Sequence, residues 1–316
     1  MRALVAIAAT AVMLATAPVA AASDDVLASL SPGAASAIRM SAHGGHVVWS
    51  EPVAPGRHVL MRWHQGRVAR LPVAERAVPF DVDLGPDARG RPVAVYSRCP
   101  GEAENAAAGG CNVYRLDLRR GRERTIRRAS TARSSEYAPA IWRGDLVFAS
   151  SKTAAGPAAV MLLRRGARRA VVLRRQARGA EAARVSAIDL TSNAVVFQRA
   201  ADSGAELLRV PLSGRRGKVL ARSFMEEGNA VQTQSSNAAP KETLWVRQAS
   251  TPCLETTIVS DHQDRRRSTA PMPRDIHALA RDRTSLYAIT SAPAPCSVPP
   301  DLTLVRLSSL VFGPGA

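Results

Sequence analysis

Past about residue 35 the chain is written in short β-prone runs divided by polar turns. No sustained helical apolar period appears outside the first residues, so the pattern predicts strands and almost no helix. One phrase recurs. Val47-Val48-Trp49-Ser50 returns as Val93-Ala94-Val95-Tyr96, Leu146-Val147-Phe148, Val195-Val196-Phe197, Leu244-Trp245-Val246 and Leu286-Tyr287-Ala288. The rings at 49, 96, 148, 197, 245 and 287 are spaced by 47, 52, 49, 48 and 42 residues and use six of the thirteen Phe, Tyr and Trp. A period of this size is the signature of a repeat architecture.

Aligned on those rings, the units share a later polar turn. Gly66 and Gly214 fall 17 residues after their rings, Gly166 falls 18 after, and His262 falls 17 after Trp245. Unit four shows four strands most clearly: Val185–Leu190, Ala194–Arg199, Glu206–Pro211 and Lys218–Arg222, separated by Ser-, Asn-, Asp- and Gly-rich turns. Repeated four-stranded meanders predict an all-β, six-bladed β-propeller of four-stranded antiparallel blades. The expected blades are Ala35–Ala74, Val78–Ser130, Ser134–Gln176, Ala182–Phe224, Glu226–Ala270 and Arg274–Phe312. Unit five is irregular, and its polar Asn229–Glu242 stretch predicts a weak or missing first strand. Ring closure is open: the last strand of unit six is its own, or Val26–Leu30 completes a blade.

Unit two carries the sharpest motif. Asp83-Leu84-Gly85-Pro86-Asp87-Ala88-Arg89-Gly90-Arg91-Pro92-Val93-Ala94-Val95-Tyr96 passes through a Pro-Asp-x-x-Gly turn, and Cys111-Asn112-Val113-Tyr114-Arg115-Leu116-Asp117-Leu118 gives the next strand. This resembles the repeat of TolB-like propellers. The likeness is close in unit two and skeletal elsewhere. The N-terminal α/β domain of TolB has no counterpart here, so TolB's partners do not carry over, and TolB-like propellers include scaffolds and enzymes alike.

Composition adds an address and a charge. Met1-Arg2, the apolar Ala3–Ala17 and the Ala20-Ala21-Ala22 site read as a cleaved secretory signal over 1–22, leaving 23–316 as one exported domain with no transmembrane segment. Four cysteines without a C-x-x-C pair then read as disulfides rather than zinc ligands: Cys99–Cys111, and Cys253–Cys296 across matching loops of units five and six. Net charge is +17, and 40 of the 43 basic residues are Arg. Many crowd the turns between third and fourth strands: Arg119, Arg120 and Arg122; Arg164, Arg165, Arg168 and Arg169; Arg215 and Arg216; Arg265, Arg266 and Arg267. Two readings stay open, edge protection and a basic rim for an anionic wall polymer. No aromatic interleaving accompanies them, which argues against sequence-specific nucleic-acid binding.

Candidate chemistry is sparse. Asp83, Glu136, Asp275 and His277 fall on first strands, which line a propeller's channel, and a carboxylate ring there suits a cation such as Ca²⁺ as well as it suits turns and caps. No other cofactor is implied. His43-Gly44-Gly45-His46 reads as an exposed turn. No nucleophile elbow, H-E-x-x-H or phosphate loop occurs. The sequence therefore predicts a monomeric binding or scaffolding module for another protein of the cell envelope. Its surface is expected at the channel mouth framed by Glu102–Gly110, Ser250–Cys253 and Ala292–Pro300, with Arg98 and Glu104 as polar contacts. A channel-site hydrolase or lyase is the enzyme alternative.

Overall fold

The computed structural model describes residues 24–30, 39–99, 110–153, 157–175, 185–201, 204–223, 225–226, 229–238, 242–251, 253–262, 265–269, 272, 274–283, 285–291, 301–308 and 312–314. Among them there is no helix. The strands form six antiparallel sheets arranged as the blades of a six-bladed propeller.

The N-terminal strand β1 is Asp25–Leu30. Blade 1 holds β2 (Met40–His43), β3 (His46–Ala54), β4 (Arg57–His64) and β5 (Arg67–Arg70). Blade 2 holds β6 (Asp83–Pro86), β7 (Pro92–Arg98), β8 (Asn112–Asp117) and β9 (Arg122–Thr125). Blade 3 holds β10 (Ser135–Trp142), β11 (Asp145–Ser151), β12 (Ala159–Leu163) and β13 (Val171–Arg175). Blade 4 holds β14 (Val185–Leu190), β15 (Ala194–Ala201), β16 (Gly204–Pro211) and β17 (Lys218–Ser223). Blade 5 is a six-stranded sheet. Its strands are β18 (Met225–Glu226), β19 (Asn229–Ala238), β20 (Glu242–Thr251), β21 (Cys253–His262), β22 (Arg265–Thr269) and, on the outer edge, β26 (Phe312–Pro314). Blade 6 holds β23 (Asp275–Asp282), β24 (Ser285–Ser291) and β25 (Leu302–Leu307).

The ring closes through its N terminus: β1 pairs antiparallel with β25 as the fourth strand of blade 6. Phe312, expected in blade 6, instead pairs with Thr269 of blade 5. The weak first strand expected in unit five is a ten-residue strand, β19, paired with β20 along its length. Its Gln, Ser and Asn residues lower β propensity, but pairing to a strong neighbour overrides that preference.

The aromatic grid marks the second strand of every blade. All six rings are at most 4 % exposed. Because side chains alternate across a strand, each second strand feeds two interblade layers. Trp49, Tyr96, Phe148, Phe197 and Trp245 face the preceding blade; Tyr96, for example, joins Val48 and Leu60 of blade 1. Tyr287 is out of phase. Leu286 and Ala288 pack on blade 5, while Tyr287 faces blade 1 beside Trp49 and Trp63. The short final interval of 42 residues carries that change of face.

Candidate functional site

The first strands β2, β6, β10, β14, β19 and β23 run in the same sense along the channel, so its two ends differ. One end gathers their starts and the loops between second and third strands. The other gathers their finishes, with the turns between first and second and between third and fourth strands.

The starting end is tied together by polar side chains. Bulges interrupt β10, β14, β19 and β23. A bulge leaves backbone groups without ladder partners. At the β10 bulge Ala138 stands at φ 47°, and its N–H donates to Asp81 Oδ2 at 2.7 Å. Asp81 also accepts from Ser97 N (2.8 Å) and Ser97 Oγ (2.6 Å) and pairs with Arg76 (3.3 Å). Burial would raise its carboxyl, but Arg76 and the donors from Ser97 and Ala138 outweigh burial and hold it below the ordinary value. Two residues on, Asp83 accepts from Ile141 N at 2.8 Å and from Ser41 Oγ at 2.9 Å, and Ser41 Oγ accepts from Leu84 N at 2.9 Å. One carboxylate thus joins three inner strands. It has no cation partner, and burial pushes it up to about 6 against the hydrogen bonds from Ile141, Ser41 and Leu84. The inner strands approach so closely that a Cβ on Gly85 would stand 2.0 Å from the Ile141 carbonyl oxygen.

The finishing end opens into a cavity of about 720 Å³ lined by five blades. Its wall includes Ser41, Ala42 and His43 of blade 1, Asp83, Leu84 and Asp87 of blade 2, and Ile141, Trp142, Arg143 and Arg165 of blade 3. Asp189 and Leu190 of blade 4 and Arg281, Asp282 and Arg283 of blade 6 complete it. Hairpin tips link the blades around it. Gly45 N donates to Asp282 Oδ2 at 2.6 Å, and Gly144 N donates to the Pro86 carbonyl at 3.2 Å. Two-residue hairpins need positive φ at their tips and favour Asn and Gly. Gly44 and Gly45 satisfy this in blade 1, at 62° and 76°. Blades 3 and 6 instead place arginines there, Arg143 at 50° and Arg283 at 53°, each at a steric cost of about 1–2 kcal/mol.

Asp87 and Arg281 are paired within the fold, and three guanidiniums of the cavity are not. Asp87 accepts from the Arg89 and Arg91 backbones (2.8 and 2.9 Å) and from the Arg91 and Arg115 guanidiniums. Burial opposes its charge, but those donors hold it far below the ordinary carboxylate range. Arg281 pairs with Glu242 at 2.6 Å. The guanidiniums of Arg143, Arg165 and Arg283 are exposed and meet no carboxylate among the described residues. Trp142 Nε1 and Asp282 Oδ1 are covered within the wall without a hydrogen-bond partner. Trp142 meets His43 edge-on at 6.1 Å, and burial, with the Arg283 charge and against Asp282, lowers the His43 imidazole below its ordinary value.

Of Asp83, Glu136, Asp275 and His277, Asp83 reaches this cavity. Glu136 lies at the opposite end, 1 % exposed, accepting from Thr131 N and Oγ1 (both 3.1 Å) and Ser134 Oγ (2.5 Å). Burial raises its carboxyl against those hydrogen bonds. Asp275 and His277 start β23 at that same end, His277 Nε2 lying 2.9 Å from Ser291 Oγ. Among the described residues no three His, Cys, Asp or Glu side chains gather as a metal would require, and the oxygens of Asp83 and Glu136 meet protein donors. The histidines of the Gly-Gly turn part company: His43 enters the cavity wall, and His46 stacks on His64 at 3.8 Å.

Arg98 pairs with Glu123 at 2.9 Å and covers the Tyr114 ring at 5.5 Å. The Cys99–Cys111 disulfide is formed, and beside it Cys111 N donates to Ser135 Oγ at 3.3 Å. Glu104 and Cys296 lie outside the described residues, and with them the Cys253–Cys296 pairing and most of the loops expected to frame a binding surface. The cavity opens where the first strands finish, and Asp81 and Glu136 meet their donors where the first strands begin.

The arginine turns share the cavity's end. Arg119, Arg120, Arg168, Arg169, Arg215 and Arg216 are exposed there, with Arg122 just inside β9. Arg164 pairs with Asp145 at 2.7 Å, and Arg165 reaches the cavity wall. In blade 5, β26 pairs with Arg267, Ser268 and Thr269 of β22, and Arg266 donates to the Leu220 carbonyl and covers Trp245 at 5.6 Å. Sequence reading missed Trp142, Arg143, Asp282 and Arg283. The available signal was Trp142-Arg143-Gly144-Asp145, a tight turn between β-prone runs with a large cation at its tip.

No family model matches the chain, and no curated protein sequence matches it. Solved propellers do. The chain is similar to a protein in the nidogen/laminin complex structure (TM-score 0.52, 11 % identity, 79 % of this chain and 90 % of that one). It is also similar to oligogalacturonate lyase from Vibrio parahaemolyticus (TM-score 0.51, 10 % identity, 87 % and 78 %). TolB from Acinetobacter baumannii matches at TM-score 0.49 and 12 % identity, over 85 % of this chain and 65 % of that one. At such identities the first two establish the fold alone, and the third carries no argument.

Proposed function

We propose that this chain is an exported six-bladed propeller of TolB-like type that works as a binding module for another protein of the cell envelope, with the channel-mouth cavity as its recognition site. The observation that carries the reading is the state of the cavity's polar groups. Asp83 and Asp87 are engaged by the fold, whereas Arg143, Arg165 and Arg283 are presented outward. That arrangement suits recognition by a pre-formed concave site more than it suits chemistry. Export is supported by the signal-like leader and is compatible with the Cys99–Cys111 disulfide.

The test is photo-crosslinking in cells from a reactive residue placed at Ala88 or Trp142, both in the cavity wall, with Thr131, at the other end of the channel, as comparison. One stoichiometric protein captured from 88 and 142 but not from 131 is the expected result. Capture from 131 alone, or from none of the three, removes the reading.

Asp83 supports a second reading, a hydrolase or lyase in which it serves as the acid, because a buried carboxyl raised toward neutrality in a cleft is a catalytic candidate. Its two oxygens already accept from Ile141 and Ser41, so substrate would have to displace a structural hydrogen bond. Turnover abolished by Asp83→Asn at unchanged ligand affinity would install that reading in place of the first.

A further inference from the structure

We infer that the channel mouth takes a peptide segment carrying acidic side chains, held between Arg143 and Arg283. The inference rests on the channel-mouth reading above and names what enters it.

The two arginines occupy equivalent positions, the first residue of the turn between first and second strands, in blades 3 and 6. In a ring of six those blades stand opposite each other. The mouth is thus spanned by a cation on either side, with Arg165 of blade 3 alongside Arg143. Only four non-glycine residues among those described have positive φ, and Arg143 and Arg283 are two of them. Glycine or asparagine would relieve both tips. A strained position occupied by a long, exposed, unpaired cation points to a ligand rather than to the fold. The remaining guanidinium of the wall is spent: Arg281 pairs with Glu242.

The lining also discriminates between ligand classes. Four aspartates, Asp83, Asp87, Asp189 and Asp282, stand among the arginines. A polyphosphate or wall polymer offers negative charge along its whole length and acceptors almost throughout, so those aspartates oppose it. A peptide alternates N–H donors with carbonyl acceptors and carries carboxylates only where its sequence places them, which fits a wall of mixed sign. The volume of about 720 Å³ is in the range of a short peptide rather than a single ion.

The experiment is an array of capped hexapeptides of random sequence probed with the disulfide-bonded protein, followed by solution titration of the best binders against copies in which Glu and Asp become Gln and Asn. Acidic peptides should dominate, bind about 10-fold tighter than their amide copies, and weaken as salt rises. Joint Arg143→Glu and Arg283→Glu replacement should remove the preference. Arg143→Gly and Arg283→Gly separate function from folding: each should weaken acidic peptides about 3- to 10-fold while the melting midpoint stays within about 2 °C of the parent. Equal binding of acidic and amide peptides, no binding at all, or displacement of every peptide by a soluble polyphosphate would overturn the inference. In cells, undiminished partner capture by the double Glu variant, crosslinked from Trp142, would overturn the acidic specificity and leave the channel-mouth reading standing. Absence of capture from both 88 and 142 in a protein with its arginines intact would end both.

Discussion

The two ends of the channel are made from the same six strands and have opposite characters. At the end where the first strands begin, Asp81 gathers donors from Ser97 and Ala138, Glu136 gathers Thr131 and Ser134, and a disulfide closes beside them. At the end where they finish, three guanidiniums lack carboxylate partners and two polar atoms in the wall lack hydrogen bonds among the described residues. The contrast teaches that a buried carboxylate in a propeller channel is not by itself a site. At the starting end charge repairs the backbone where bulges break the ladder; at the cavity end charge is left for something else.

That comparison can be broken by substitution, and the starting end should yield the largest effect. Replacing Asp81 by Ala strands the Ser97 and Ala138 N–H groups and leaves Arg76, whose side chain is 8 % exposed, without its partner. A loss of about 3–4 kcal/mol in urea unfolding is expected. A loss below about 1 kcal/mol would mean that the starting end is not held by its acids. Next comes the disulfide. Replacing Cys99 and Cys111 by Ser opens a loop of sequence separation 12 and should cost about 3 kcal/mol in the chain-entropy account; the shift in urea midpoint measures it.

Asp83 lies between the two ends and should show itself through pH. Its folded carboxyl titrates at about 6, above the unfolded value of 3.8, so the folded state binds more protons between those limits. Its contribution to stability is therefore greatest below about pH 4 and is lost as pH rises toward 6, by about 1–2 kcal/mol. Asp81 and Asp87, held low, work in the opposite sense: their contribution is full above the unfolded carboxylate range and is lost as pH falls. The difference in stability between Asp83→Asn and the parent isolates the first effect, and it should move in favour of the variant from pH 4 to pH 6. A pH-independent difference would place the Asp83 carboxyl at its ordinary value. The smallest change is expected at the open end, where Arg143→Gly and Arg283→Gly should each alter unfolding free energy by less than about 1 kcal/mol, since relief of the left-handed conformation offsets the added freedom of the unfolded chain.

The blade count and the four-strand unit were legible because a period-2 pattern with one ring per second strand survives any detail of packing. The Asp87 turn was legible for a similar local reason: Asp87 N donates to the Arg91 carbonyl and Gly90 N to the Asp87 carbonyl, both within five residues. The site was far less legible. Asp83, Glu136, Asp275 and His277 share a strand class, yet a few residues along each strand separate the cavity from the starting end. Trp142 and Asp282 come from blades three apart, and nothing local links them.

What the sequence determined alone is therefore what short-range physics controls: strand periodicity, turn chemistry, the arginine-bearing turns and the Cys99–Cys111 loop. Tertiary structure decided the rest. Whether β1 or a C-terminal strand closes the ring depends on which free edge pairs best, and β26 reaches blade 5 only once the ring has brought β22 near the C terminus. Which channel end opens depends on how carboxylates of one blade meet the bulge of the next, as Asp81 and Asp83 meet β10. Those contacts join residues 57 and 58 positions apart, and only closure of the ring brings such positions together.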